Sequence, residues 1–144
     1  MERDLIVDIL YGPARMLAGS PLDDADIVSL AREELVGQTI CIVRHWMILD
    51  VLLSSDEERE IKAQGLRSSI LYAHRSVFDS EGRIPSGGGV ITGYCKEDNG
   101  CFFETPDTLF ILAGRGARKF VSSPSARAFR APQMRQALGI IIYD

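Results

Sequence analysis

The run ICIVRHWMILD, residues 40–50, decides the fold class. Ile40, Ile42, Trp46 and Ile48 fall on one parity and Cys41, Val43, Met47 and Leu49 on the other, so a strand here is apolar on both faces. Such a strand belongs in the middle of a sheet, covered on both sides. Downstream the apolar period is two. Ile70 to Phe78, Val90 to Lys96, Cys101 to Glu104 continuing into Thr108 to Leu112, and Ala117 to Val121 read as further strands. The breaks between them fall at Asp79-Ser80-Glu81-Gly82, Gly87-Gly88-Gly89, Asn99-Gly100 and Gly114-Arg115-Gly116. Short turns favour neighbour-to-neighbour pairing. The expectation for residues 38–121 is therefore one antiparallel meander of about five strands, a strongly curled sheet or small barrel.

Helical character concentrates before residue 37, which makes the fold class α+β with N-terminal helices packed on the sheet. Ser20 as cap, Pro21 at the first helical position and acids in the first turn predict a helix from about Pro21 to Val36, with Gly37 as its stop. Leu5, Ile6, Ile9 and Leu10 suggest a shorter helix before Gly12-Pro13. Ser55 with Glu58 reads as a capping box opening a short polar helix that ends before Gly65. Pro132 to Leu138 reads as a last short helix, stopped by Gly139.

At 144 residues the chain is expected to form one domain over 1–144: a helical segment at 1–37, a β meander at 38–121 and a basic tail at 122–144. Hydrophobic residues at 46% and charged residues at 25% exclude the disordered, collagen-like and coiled-coil classes. No apolar run reaches the roughly 20 residues of a membrane helix, and the acidic start MERDLIVDILYGP lacks a signal core, so a cytoplasmic location without membrane contact is expected. Three cysteines without CxxC spacing indicate neither a disulfide framework nor a zinc ribbon. A two-residue turn at Asn99-Gly100 would place Cys101 opposite Asp98 and Cys95 opposite Glu104, keeping the thiols apart. Cys41 and His45 would lie about 13 Å apart on a strand, too far to share an ion. No metal or other cofactor is expected.

Two histidines each sit beside an arginine, in Arg44-His45-Trp46 and His74-Arg75. If their strands were neighbours the imidazoles could converge on a general-base site, with Asp50, Asp79 or Glu104 to orient them. Their parities, shared with Met47 and Leu49 and with Ile70 and Tyr72, point instead to hydrogen-bonded core or boundary residues. Gly114-Arg115-Gly116-Ala117-Arg118-Lys119 could offer amides and cations to a phosphate. Yet it fits neither nucleotide-binding glycine motif and joins two strands, so a hairpin with solvated charges is expected. The Gly87-Gly88-Gly89 loop is read the same way.

Charge is the stronger clue. Residues 1–60 hold 13 acids and 5 bases, while residues 108–143 hold six bases and no acid: Arg115, Arg118, Lys119, Arg127, Arg130 and Arg135. This region can dock an acidic protein partner, or lie against the acidic region of the same chain or of a second copy. A net charge of −4 disfavours general nucleic-acid binding. The end Ile140-Ile141-Ile142-Tyr143 calls for a sheet edge, in this molecule or another, which favours a homodimer or small oligomer.

ICIVRHWMILD (40–50), ILYAHRSVFDSEGR (70–83), FFETPDTLFILAGRGARK (102–119) and LAGSPLDDADIVSLA (17–31) together resemble an uncharacterised family of small bacterial proteins, a domain of unknown function, over about residues 17–121. The resemblance implies no activity, cofactor or site residue, and it leans toward accessory proteins. The expected function is a non-enzymatic interaction protein, an accessory or inhibitor factor in bacterial conflict or a mobile element. The alternative is a small hydrolase or nucleotide-binding enzyme using His45, His74, Asp79, Glu104 and the Arg115–Lys119 loop.

Overall fold

The computed structural model describes residues 9–10, 12–85 and 87–143. In chain order the elements are β1 (Arg15–Leu17), α1 (Asp24–Glu34), β2 (Ile40–Leu52), α2 (Ser55–Ala63), β3 (Ser69–Asp79), β4 (Gly89–Thr92), β5 (Glu97–Asp98), β6 (Phe102–Glu104), β7 (Leu109–Leu112), β8 (Gly116–Ser122), α3 (Ser123–Arg130), α4 (Pro132–Leu138) and β9 (Ile140–Tyr143). The nine strands form one mixed, open sheet in the order β5-β6-β7-β2-β3-β4-β9, with β8 beside β2 and β1 beside β8.

β2 is central, as its two apolar parities require, but the expected five-stranded antiparallel barrel is wrong. β2 pairs antiparallel with β3 along one edge. Along its other edge it runs parallel first to β7 and then to β8. From Val43 to Met47 is four steps along β2, whereas their partners Leu112 and Ala117 are five steps apart, so one extra residue is taken up there. Gly114-Arg115-Gly116 is therefore a break within one run of chain beside β2, not a hairpin turn. The reversal occurs earlier, in Thr105-Pro106-Asp107-Thr108, where Thr105 and Thr108 close the turn on each other and β6 folds back on β7. Reading 101–104 and 108–112 as one strand missed the Pro106 break.

Helical cover also comes from both ends of the chain, not from the N-terminal region alone. Ile27 and Ala31 of α1 pack on Ile40, Ile42, Ile111 and Ala113. Ala126 and Phe129 of α3 pack on Leu49, Val51, Ile70, Tyr72 and Val121. The largest core is made of strand residues with Ile84 and Cys95 from connections. Cys41, Val43, Trp46 and Ile48 all enter that core. Val43 and Trp46 are three apart and would face opposite ways on an unbroken strand. His45 resolves this: its φ of 53° lies in the left-handed region and resets the alternation.

Local starts differ by a residue or more from expectation. Asp23, not Ser20, caps α1 by accepting from the Asp26 N–H, because Ser20 is taken up in bridging Leu112 and Gly114. The capping box of α2 is Ser54 with Glu57. In the β5–β6 hairpin Asp98 faces Phe103 and Glu97 faces Glu104. The Asn99 side chain accepts from the Cys101 and Phe102 N–H groups, which moves the turn to Gly100-Cys101. Cys41, Cys95 and Cys101 are all free thiols. Residues 140–143 find their edge at home, parallel to β4, so the tail itself gives no reason for a dimer. The short helix expected at Leu5 to Leu10 lies mostly outside the described residues. No helix among them is long and apolar enough to cross a membrane.

Candidate functional site

His45 and His74 are exposed and not core residues. Because β2 and β3 are antiparallel, with Arg44 opposite Arg75 and Trp46 opposite Ala73, the two histidines occupy the same level of adjacent strands. Both line one cleft of about 490 Å³, whose other walls include Ile9, Met16, Trp46, Met47 and Tyr72. The Tyr72 hydroxyl lies 3.3 Å from His74 Nδ1. The His45 imidazole makes no hydrogen bond among the described residues.

The carboxylates proposed to accompany them lie elsewhere. Asp79 accepts the N–H groups of Glu81, Arg83 and Ile84 and shapes the turn after β3. Glu104 borders a different hollow, with Leu35, Gln38 and Phe102. Asp50 is held by Arg118. No acidic residue is among the cleft's described lining, so the orienting group a histidine base relies on is not supplied from there.

The six basic residues do not form one patch. Arg118 donates from Nε and Nη2 to the two Asp50 carboxylate oxygens at 2.8 Å each, and from Nη1 to Asp98 at 2.7 Å. Burial pushes the Asp50 carboxyl up, but hydrogen bonds from Arg118 and Ser69 outweigh it and hold it below the usual carboxylate range. Arg118 thus joins β8, β2 and β5. Lys119 is buried on the opposite side of β8, with Nζ donating to the Ile9 carbonyl at 3.3 Å. Arg118 and Lys119 both border the hollow beside Pro13–Arg15, but Arg118 is engaged by Asp50 and Asp98, Lys119 donates to Ile9, and Arg115 is not among that hollow's described lining, so the expected single cradle of amides and cations is not formed. Arg115 is exposed. Arg127 donates to Ser123 and borders a hollow of about 300 Å³ with Arg130 and Tyr94. Arg135 is half-buried. The glycines of this stretch serve packing: a Cβ on Gly116 would lie 2.1 Å from the Trp46 ring, and the Trp46 indole donates to the Gly114 carbonyl.

A second surface went unread in the sequence. Phe120 is 72% exposed and Leu52 is 59% exposed. Asp50 is opposite Phe120 and Leu52 opposite Ser122, so the two side chains are diagonal neighbours on the face that carries the Arg118–Asp50 pair. Phe120 borders a hollow of about 370 Å³, lined also by Pro13, Ala14, Arg15, Asp50, Arg118 and Lys119. Arg15 is exposed and makes no ion pair among the described residues. The legible signal was Phe120 itself, an apolar residue on the parity of Arg118 in a strand of period two.

No curated protein and no solved structure matches the chain. One family model does, over residues 18–128, which takes in β2 through most of α3 and therefore both histidines, the Arg118 network and Phe120. By that match the chain belongs to the family described as Domain of unknown function (DUF6957).

Proposed function

We propose that this is a non-enzymatic interaction protein, an accessory or inhibitory factor that acts by occupying a protein partner through the Phe120–Leu52 face. The observation that carries this reading is the 72% exposure of Phe120 beside Leu52, next to a fixed ion-pair network. A large aromatic left in water on a rigid strand is the usual anchor of a protein interface. Arg15, exposed at the rim of the same hollow, adds a cation, which favours a partner presenting an apolar side chain beside a carboxylate. The acid-rich residues 1–60 of a second copy would satisfy the same chemistry.

The test is quantitative capture with the native chain and with Phe120→Ser, Arg15→Glu and Val36→Ser. Val36 is 79% exposed and remote in sequence from this face, so it serves as control. The proposal expects a partner lost with Phe120→Ser and Arg15→Glu and kept with Val36→Ser. Sedimentation of the purified chain separates a foreign partner from self-association. Equal capture by all forms would reject the face.

A further inference from the structure

We infer that the His45–His74 cleft is a separate binding site for a small apolar carboxylic acid. The cleft's volume of about 490 Å³ lies in the range of small-molecule sites. Its walls are thioether, indole, phenol and aliphatic groups from the segment before β1 and from β1, β2, β3 and β8, and among the described residues the only side chains there with ring nitrogens free to face a ligand are the two imidazoles. The Tyr72 hydroxyl engages His74 at Nδ1, which leaves Nε2 for an occupant. Both nitrogens of His45 are available among the described residues.

Two observations support a site for an acidic head group. Among the described lining residues there is no carboxylate to compete for the imidazole N–H groups. An imidazole N–H donates readily to a carboxylate oxygen. His45 is also held at φ 53°, the one non-glycine residue among those described with a positive φ. Left-handed backbone at a non-glycine is strained, and such outliers cluster at ligand sites. Here the left-handed turn sends Trp46 inward while His45 stays exposed at the cleft, so one backbone feature sets both the apolar wall and the polar group.

Trp46 is the only tryptophan in the sequence and lines the cleft, so its emission reports occupancy. The full chain is titrated with 4-phenylbutyrate and with the neutral 4-phenylbutanol. The expected result is a saturable change with the acid and at least tenfold weaker binding of the alcohol. The double variant His45→Asn, His74→Gln should bring the acid down to the alcohol's affinity; asparagine is chosen because it tolerates left-handed backbone. An acetylated dipeptide acid, acetyl-Gly-Phe, is the third arm; tighter binding of it supports the same chemistry with a chain end as its source. Equal binding of acid and alcohol, or no response to any probe in protein that unfolds cooperatively, overturns the inference. The described linings of the two hollows share Ala14 alone, and neither histidine is on the Phe120 face, so failure here leaves the capture experiment unaffected.

Discussion

Replacing Arg118 by alanine tests the network that ties β8 to β2 and β5. The guanidinium makes three short bonds, two of 2.8 Å to Asp50 and one of 2.7 Å to Asp98, and the three side chains are 21%, 19% and 8% exposed. Removing one partner of a buried pair costs about 3–5 kcal/mol, because the remaining charge is left uncompensated. Ser69 still donates to Asp50 at 2.6 Å and Arg67 still lies 3.9 Å from Asp98, which places the loss near the lower end, about 3 kcal/mol at pH 7. The pH dependence follows from the depressed Asp50 carboxyl. In the native chain its contribution is present above the unfolded carboxyl pKa of about 3.9 and is lost as the pH falls through the lower folded value. Without Arg118, burial dominates and the carboxyl takes up a proton earlier. The deficit of the variant should therefore shrink between pH 7 and pH 4. Urea unfolding at both pH values measures it, and Arg118→Lys, which keeps the charge but not the two-pronged geometry, should recover some of the loss. A deficit below about 1 kcal/mol at pH 7, or one that does not shrink on acidification, would refute the reasoning.

Gly116→Ala should lower stability by about 1–3 kcal/mol, since its Cβ must displace the Trp46 ring, and thermal unfolding followed by indole emission will show it. His45→Gly should cost no more than about 0.5 kcal/mol although glycine usually weakens a strand, because it removes the left-handed strain; a larger loss in chemical denaturation would mean that the conformation is not strained. Thiol titration should find one fast cysteine, Cys101, in the folded chain and three after denaturation: burial pushes Cys41 up to about 12 and Cys95 up to about 11, so neither presents thiolate near neutral pH.

What was legible in the sequence was local. Strand β2, the polar helix α2 with a capping box misplaced by one residue, and the α4 stop at Gly139 all follow from patterns that short-range sterics and burial impose. Pairing was not legible. A period-two run says which residues share a face but not which strand lies beside it, and the glycine pair at 114 and 116 looks the same whether the chain reverses or merely kinks past Trp46. Histidine burial was misjudged for a related reason. Parity assigns a face but not how far cover extends along it: His45 and His74 share the cleft with Met47 and the buried Tyr72, as their parities imply, yet both are exposed. The basic region was visible as a count of charges; that Arg118 answers Asp50 and Asp98 while Lys119 turns inward depends on pairings 20 to 110 residues apart.

The most direct test of the interaction reading is site-specific photo-crosslinking, with a photoreactive phenylalanine at position 120 and, as control, at position 36. Both positions are strongly exposed, at 72% and 79%. The account predicts a discrete adduct from position 120, mapped to an acidic, apolar-anchored segment of one partner and abolished by Arg15→Glu, with none from position 36. No adduct at position 120, or the same adducts from both positions, would contradict it.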